Sequence, residues 1–514
     1  MVEETDVLVI GSGMAGAAAA IAADSAGACV ALVTKATGPS EATTRYAQGG
    51  IATVAPDDSP DSFAQDILKA GCGLSDETAV RFFTTEGPRV VQEVLIEKLG
   101  VPFDRNADGT LAYGRESGHS RPRILHVADA TGSAIERAFM QFITRRTKIT
   151  VKPDTFTVDL ILRGGKVIGA TTIPATDPSL ERQNLPLSAI LARNTILATG
   201  GIGDLYANST NPPGNSGDGV AMAARAGAVV RNAEFVQFHP TAFVSPKGRN
   251  LLVTEAVRGE GAILRNARGE AFMAQYDPLM KDLAHRYKVA HAVDEQRALT
   301  GEVYLDIEPV LAKLDFTKRF PSVYNGLLAE GYDAVKEHRI PVRPAEHFFC
   351  GGVAVDFNGL SNVPNLYAVG EVSCTGIHGA DRLASASLLE GLVWGTIAGR
   401  HAAAKRTASL PPASEVGEVR VECLDQPLPP GFANAKFTRL RDIMWQFVGL
   451  KRMKEGLERA FMEILKLKGE ADDFARFRLD PDLIVLKNAC YVASIICRAA
   501  LDNPASVGSH YRVD

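Results

Sequence analysis

The sequence predicts an α/β, Rossmann-like nucleotide-binding domain, split by an inserted α+β capping domain and followed by a C-terminal helical bundle. Three observations carry this. The run "DVLVIG" (6–11) is continuously apolar and β-branched, the pattern of a strand buried on both faces of a parallel sheet. "GSGMAGAAAAIAADSAGA" follows as a turn entering a helix of small residues, and "CVALVTK" (29–35) supplies the next strand of a βαβ unit. Two more buried-strand patterns ending in glycine, "NTILATGG" (194–201) and "NLYAVGE" (365–371), lie far apart in the chain, so the sheet is assembled from both sides of an insertion.

Between these runs, "TVDLILRGGKVIGATTI" (157–173) reads as two alternating strands around Gly164–Gly165, a hairpin. The nucleotide-binding domain is expected over 1–235 and 345–406, with the insertion at 236–344 as the cap. "TASLPPASEVGEVRVECLDQPLPPG" is rich in Pro, Ser and acid, so 407–430 is expected to be a linker. Beyond it, Leu440, Ile443, Met444 and Phe447, then Leu457, Phe461 and Ile464, recur at helical spacing, so 431–514 should be helical. "DLIVLKNACYVASIICRAAL" is the most apolar segment, but Lys487 and Asn488 interrupt it. A buried helix is expected there rather than a membrane span.

The 514-residue chain is 46% hydrophobic and 22% charged, the balance of a globular protein of two or three domains. Its net charge of -5 gives no electrostatic reason for a nucleic-acid or anionic-membrane partner. Seven scattered cysteines, none in a C-x-x-C pair, read as reduced and mostly buried thiols of a cytoplasmic protein without a metal site.

Gly11, Gly13 and Gly16 form G-x-G-x-x-G between a strand and a helix. Their backbone can approach a pyrophosphate, and the helix N-terminus favours its charge. The second strand ends in Lys35, where an acidic residue would normally hold the adenosine ribose, which argues against ordinary NAD binding. "TTRYAQGGIAT" (43–53), "NPPGNSGDGVAMAARAGA" (211–228) and "GEVSCTGIHGADRLASASLLEGLVWG" (370–395) are loops rich in Gly, Ser and Thr. Together they suit an elongated ligand needing many backbone N–H groups, and point to FAD.

These motifs resemble the flavoprotein family of succinate dehydrogenase, fumarate reductase and L-aspartate oxidase over nearly the whole chain. The resemblance implies flavin contacts at Ser12, Met14, Ala15, Lys35, Thr43, Thr44, Tyr46, Ala47, Gln48, Gly49, Gly50, Asp218, Glu371, Ser387 and Leu388, alongside the fingerprint glycines. Respiratory members carry a flavin-linking histidine four residues before Ala-Gln-Gly-Gly, where this chain has Thr43; the FAD should be non-covalent.

A four-carbon dicarboxylate needs charge-assisted hydrogen bonds at each end. Candidates cluster in "EFVQFHPT" (Gln237, His239), "LLVTEAVRGEGA" (Thr254, Glu255, Arg258), "DLAHRYKVAHAV" (Arg286), "PAEHFFCGG" (His347) and "GADRLAS" (Arg382, Ser385). By the resemblance, Arg382 and His347 hold one carboxylate, and His239 and Thr254 the other. Arg286 transfers a proton, which requires burial and a pairing that eases proton loss, because an unperturbed arginine holds its proton above pH 12.

"GRESGHSRPRILH" (114–126) sets Glu116 among Arg115, His119, Arg121, Arg123 and His126. It is similar to the aspartate oxidase segment in which a glutamate meets the substrate's ammonium, with the surrounding cations orienting that carboxylate; the alternative is an ion pair with Arg115 or Arg121. The reaction implied is oxidation of L-aspartate to iminoaspartate, with O2 or fumarate reoxidising the flavin. That is the first step of NAD biosynthesis, and it places quinolinate synthase downstream. A soluble fumarate reductase and a non-catalytic FAD-binding paralogue are the competing readings. Departures from the family pattern fall at His285, Tyr287, His291, Ala386, Ala505 and Val507, and bear on the surroundings of Arg286 and the docking of the tail.

Overall fold

The computed structural model describes residues 2–38, 42–176, 187–245, 250–406, 410, 428–429, 431–476 and 478–514. The elements that position the site are β1 (Val2–Ile10), α1 (Met14–Ser25), β2 (Val30–Val33), β3 (Thr150–Lys152), β4 (Thr155–Arg163), β5 (Lys166–Pro174), β6 (Ser188–Leu197) and α2 (Asp218–Arg225). After them come β7 (Val236–Val244), α3 (Arg286–Thr300), β8 (Arg343–Phe349), β9 (Leu366–Ala368), α4 (Ala386–Ala404), α5 (Phe432–Phe447), α6 (Lys454–Ala475) and α7 (Pro481–Asp502).

The main sheet runs β3-β2-β1-β6-β5-β4, and β9 joins it by pairing with β6. Strands β3, β2, β1, β6 and β9 are parallel, whereas the β4–β5 hairpin turning at Gly164–Gly165 is antiparallel. One edge of β6 is shared: its first residues pair with β5 and its last three with β9. Chain from both sides of the insertion thus meets in one sheet. β1 begins four residues before the apolar run does, because Val2–Thr5 lie in register with Ala189–Ala192.

Helix α1 lies against α4 with backbones almost touching. A Cβ on Gly395 would come within 2.4 Å of the Ala15 carbonyl oxygen, and one on Gly399 within 2.1 Å of that of Ala19. The glycines of "GLVWGTIAG" therefore set how close the two helices stand, and with it the spacing of their N-termini.

The 236–344 segment leaves the main body in β7 and returns in β8, and these two strands pair antiparallel. Between them an apolar cluster forms from Phe243, Val253, Leu264, Val289, Leu305, Phe320 and Val342. The C-terminal helices α5, α6 and α7 share a core with α2 and the sheet, through Leu440, Met444, Leu457, Leu483 and Val492 against Val220 and Met222. α7 has the length and composition of a membrane-crossing helix, yet 61% of its most apolar stretch is buried in the protein. Asn488 has a role there: its amide donates to Asp218 at the start of α2, and its carbonyl accepts from Arg225. Most of 407–430, and Cys423, lie outside the described residues; the other six cysteines are free, with Cys29 exposed and Cys72 half-buried.

Candidate active site

One cavity of about 900 Å³ runs from Lys35 and Asp218 to Arg286, His239 and His347. α1 and α4 both present N-termini to the cavity, α4 where Ser385 meets Glu116, and neither Gly13 nor Ser385 supplies a side-chain cap. Backbone N–H groups and two helix dipoles are left facing the cavity, an environment for a negatively charged ligand. Gly11 sits at φ +112°, and a Cβ there would meet the Ala198 carbonyl oxygen at 2.1 Å, so only glycine permits the turn.

All the flavin contacts implied by the resemblance line this cavity, and of the fingerprint glycines only Gly16 does not. Gly16 serves packing: its Cβ would lie 1.9 Å from the Gly11 carbonyl oxygen. Lys35 Nζ donates to Asp218 at 2.8 Å, the position where an acid was absent being occupied by this pair. Burial would raise the Asp218 pKa, but Lys35, Asn488 and Ser216 together bring it below the ordinary carboxylate value. Thr43 shares hydrogen bonds with Asn215. Gln48 Oε1 and Thr199 Oγ1, both on residues lining the cavity, are buried without a partner. Volume, open helix termini and orphaned polar atoms fit FAD.

At the other end the side chains come from separate segments. β7 and β8 bring His239 and His347 together, with ring centroids 4.9 Å apart. The Thr241 amide donates to His239 Nδ1 at 3.2 Å, so neutral His239 carries its proton on Nε2 and is a donor. Burial, then Arg286, holds the pKa of both histidines well below the ordinary value, so both are neutral at pH 7. His347 Nδ1 lies 2.7 Å from the Thr210 hydroxyl.

Arg286, the first residue of α3, donates to Gln237 Oε1 at 2.7 Å and to Glu255 Oε2 at 2.9 Å. The other Glu255 oxygen accepts from Arg258 at 2.9 Å, so one carboxylate is held between two guanidiniums. Burial alone would raise the Glu255 pKa; the two arginines reverse this and keep it ionised. Arg286 meets only half of its expectation. It is buried, and burial would loosen its proton, but Glu255 outweighs that and raises its pKa. The resting group is a guanidinium that holds its proton more tightly than a free arginine.

Arg258 and Gln237 do not line the cavity. Arg258 is fully buried behind Glu255, donating also to Ser117 Oγ and to the Asp282 carbonyl. Gln237 bridges: its amide donates to Asp381 at 2.6 Å and to the Arg382 carbonyl, while its oxygen receives Arg286. Arg382 lies over the Phe348 ring, with 4.4 Å to the centroid, and donates to Ser387. Burial, with Arg286 adding repulsion, lowers its pKa to about 10, and it stays charged. Thr254 and Ser385 line the cavity as well.

Glu116 is buried at this end, and Ser385 Oγ donates to its Oε2 at 2.5 Å. Burial, then the nearby charge of Glu255, pushes its pKa above the ordinary value. The cations beside it in sequence do something other than orient an anion. Arg123 is paired with Asp58 and Asp66, His126 meets Asp104, His119 Nε2 lies 2.9 Å from the Ala384 carbonyl oxygen, Arg115 donates to the His119 carbonyl, and Arg121 is exposed. None of them lines the cavity. Their acids, distant in sequence, were invisible in the pattern. These pairs anchor the loop and leave Glu116 to face inward.

Asn215, Asp381 and Asn488 were missed. Asp381 stands in the quoted "GADRLAS", and a lone asparagine in an apolar helix was the available signal for Asn488. Burial pushes Asp381 up to about 7.

A dinucleotide cradle continuous with a buried pocket of arginines and neutral histidines belongs to the flavoproteins, and the chain is an FAD-dependent oxidoreductase. The family model for the FAD binding domain matches residues 6–388. The chain is 49% identical to an L-aspartate oxidase of Halobacterium salinarum, over 99% of this chain and 96% of that one, and 41% identical to one of Yersinia pestis with the same coverage. Its structure is similar to that of E. coli quinol fumarate reductase at a TM-score of 0.88, with 29% identity over all of this chain and 92% of the other. The chain belongs to the L-aspartate oxidase family, within the succinate dehydrogenase and fumarate reductase flavoproteins.

Proposed function

We propose that this protein oxidises L-aspartate to iminoaspartate, with reoxidation by O2, giving H2O2, or by fumarate, giving succinate. The observation that carries the reading is Glu116, a buried carboxylate at the cationic end of the cavity whose sequence-neighbouring cations are engaged elsewhere. FAD, when bound, accepts the hydride. The chain's own residues bind, orient and move protons. Arg382 and His347 hold one carboxylate of the substrate; the His239 Nε2–H and Thr254 hold the other; Glu116 pairs with the ammonium. In fumarate reduction Arg286 gives its proton to the substrate carbon; in aspartate oxidation it first passes its proton to Glu255, backed by Arg258, and then accepts the one that leaves the substrate. Residues 236–344 act as a cap that excludes water. The product is an unstable imine, consistent with delivery to quinolinate synthase in NAD biosynthesis, and the free cysteines agree with a reducing, cytoplasmic compartment.

Anaerobic addition of L-aspartate to the yellow holoprotein should bleach the flavin, with little bleaching by succinate; no bleaching by aspartate would overturn the assignment. Because Thr43 stands where a linking histidine would, acid precipitation should release all the flavin into the supernatant, and a yellow pellet would contradict non-covalent binding.

A further inference from the structure

The last residues of the chain reach the substrate end of the cavity from behind. After α7 the chain makes a tight reversal, closed by Val507 N–H to the His510 carbonyl at 2.8 Å and His510 N–H to the Val507 carbonyl at 3.0 Å. Ser509 donates twice to one acceptor, the carbonyl of Ala380: from its N–H at 2.9 Å and from Oγ at 2.7 Å. Gly508, at φ +54°, lies so close that a Cβ would meet the Ala380 oxygen at 2.6 Å. The opposite side of Ala380 is fixed too, its N–H donating to the Gly71 carbonyl. Ala380 directly precedes Asp381 and Arg382.

The same tail touches the inserted segment. The Tyr511 ring packs against His291 on α3, about a turn and a half beyond Arg286, with 4.4 Å between centroids. Its base is secured by Arg452, wholly buried, which bonds His510 Nδ1 at 2.7 Å, donates to the Glu234 carbonyl and pairs along its backbone with Tyr511 and Val513. The departures at Ala505 and Val507 do not prevent docking, because Gly508 and Ser509 make it.

We propose that Val507–Tyr511 is a positioning clip, which sets Arg382 and α3 in register so that Arg382 and Arg286 face a dicarboxylate at the right separation. Ser509 is its positioning residue, acting through the Ala380 carbonyl, and Gly508 is the position that cannot carry a side chain. Gln237, bonded to Asp381, to the Arg382 carbonyl and to Arg286, already couples the two arginines inside the protein; the clip constrains the same pair from the tail. This inference rests on the reading of Arg382 and Arg286 as substrate-facing groups.

The test uses full-length holoprotein and succinate as probe, following the perturbation of the oxidised flavin spectrum, together with aspartate kinetics, flavin content and Tm. In Ser509→Ala, which removes one of two hydrogen bonds, succinate Kd and aspartate KM should rise about three- to tenfold with flavin content unchanged. Ser509→Thr should restore most of the loss, and Gly508→Ala should exceed Ser509→Ala. A lower Tm with Kd and KM within twofold of wild type would make the tail merely structural and overturn the proposal. Failure of the wild-type protein to bind succinate at all would instead overturn the substrate-site reading on which it rests.

Discussion

The two ends of the cavity are built on different principles. The cofactor end is made largely of backbone: turns without a Cβ, the start of α1, and a helix pair brought together by glycines. The substrate end is made of side chains delivered one to three at a time by the 114–126 loop, β7, the 254–258 segment, α3, β8 and the stretch before α4. Local sequence determines the first arrangement, whereas only the completed tertiary fold determines the second. A defect at the cofactor end should therefore remove the cofactor with everything that depends on it, while defects at the substrate end should separate one activity from another.

The largest effect is expected from Gly11→Ala. The new methyl would collide with the Ala198 carbonyl oxygen at a φ that alanine avoids, so the protein should purify without flavin, read as a lost absorbance near 450 nm. Arg286→Leu keeps the cradle intact. It should lower kcat by about 10²–10⁴-fold while flavin content stays normal. Near-normal kcat would move the proton-transfer role elsewhere, despite the bonds Arg286 makes to Glu255 and Gln237.

Glu116→Gln should sharpen the contrast further, because it divides activities within one end. Aspartate oxidation should fall by roughly 1.5–3 kcal/mol, the worth of a hydrogen bond to a charged group, while fumarate reduction holds or improves. A pH profile adds an independent reading. Burial and Glu255 raise the Glu116 pKa, so the free site loses its carboxylate charge as pH falls, beginning above the ordinary glutamate range. Aspartate kcat/KM should fall on that limb, and in Glu116→Gln the limb should vanish. A parallel fall of both activities together with Tm would return Glu116 to scaffold.

The smallest effect belongs to Lys35→Ala. Its ion pair with Asp218 joins a side chain that is 39% exposed, and partly exposed pairs contribute about 1 kcal/mol or less. The FAD Kd should therefore rise no more than about fivefold; a loss comparable to that of Gly11→Ala would mean that the pair organises the cradle.

This division explains what was readable in the chain. The βαβ start, the hairpin at Gly164–Gly165 and the C-terminal helices follow from periodicity and turn chemistry, which are local. Gly11 and Gly16 were readable because no other residue fits their geometry, whereas Gly13 has room for a Cβ. The substrate residues were legible only through family resemblance, since an arginine carries no local mark of its partner. Arg258 looks the equal of Arg286 in sequence, yet the fold turns it behind Glu255. The cations around Glu116 invited a wrong reading for the same reason: Asp58, Asp66 and Asp104 answer them from elsewhere in the chain. The docking of the tail on Ala380 was unreadable, because its acceptor is a backbone carbonyl and one of its two donors a backbone N–H, groups that every sequence possesses.

The raised pKa of Glu116 also has a consequence for proton stoichiometry. With Asp381 protonated, as it is below about pH 7, Arg286, Arg258 and Arg382 opposed by Glu255 leave a surplus of two positive charges around neutral histidines. Succinate, a dianion, cancels that surplus only if Glu116 is protonated, whereas aspartate, with its ammonium, does so when Glu116 is ionised. Succinate should therefore enter with a proton from solvent, and aspartate without one. Calorimetric titration with succinate in two buffers of different ionisation enthalpy should show this uptake in the wild-type enzyme and its loss in Glu116→Gln. By this account a single carboxyl lets one pocket accept ligands of unequal charge, taking up a proton for one and none for the other.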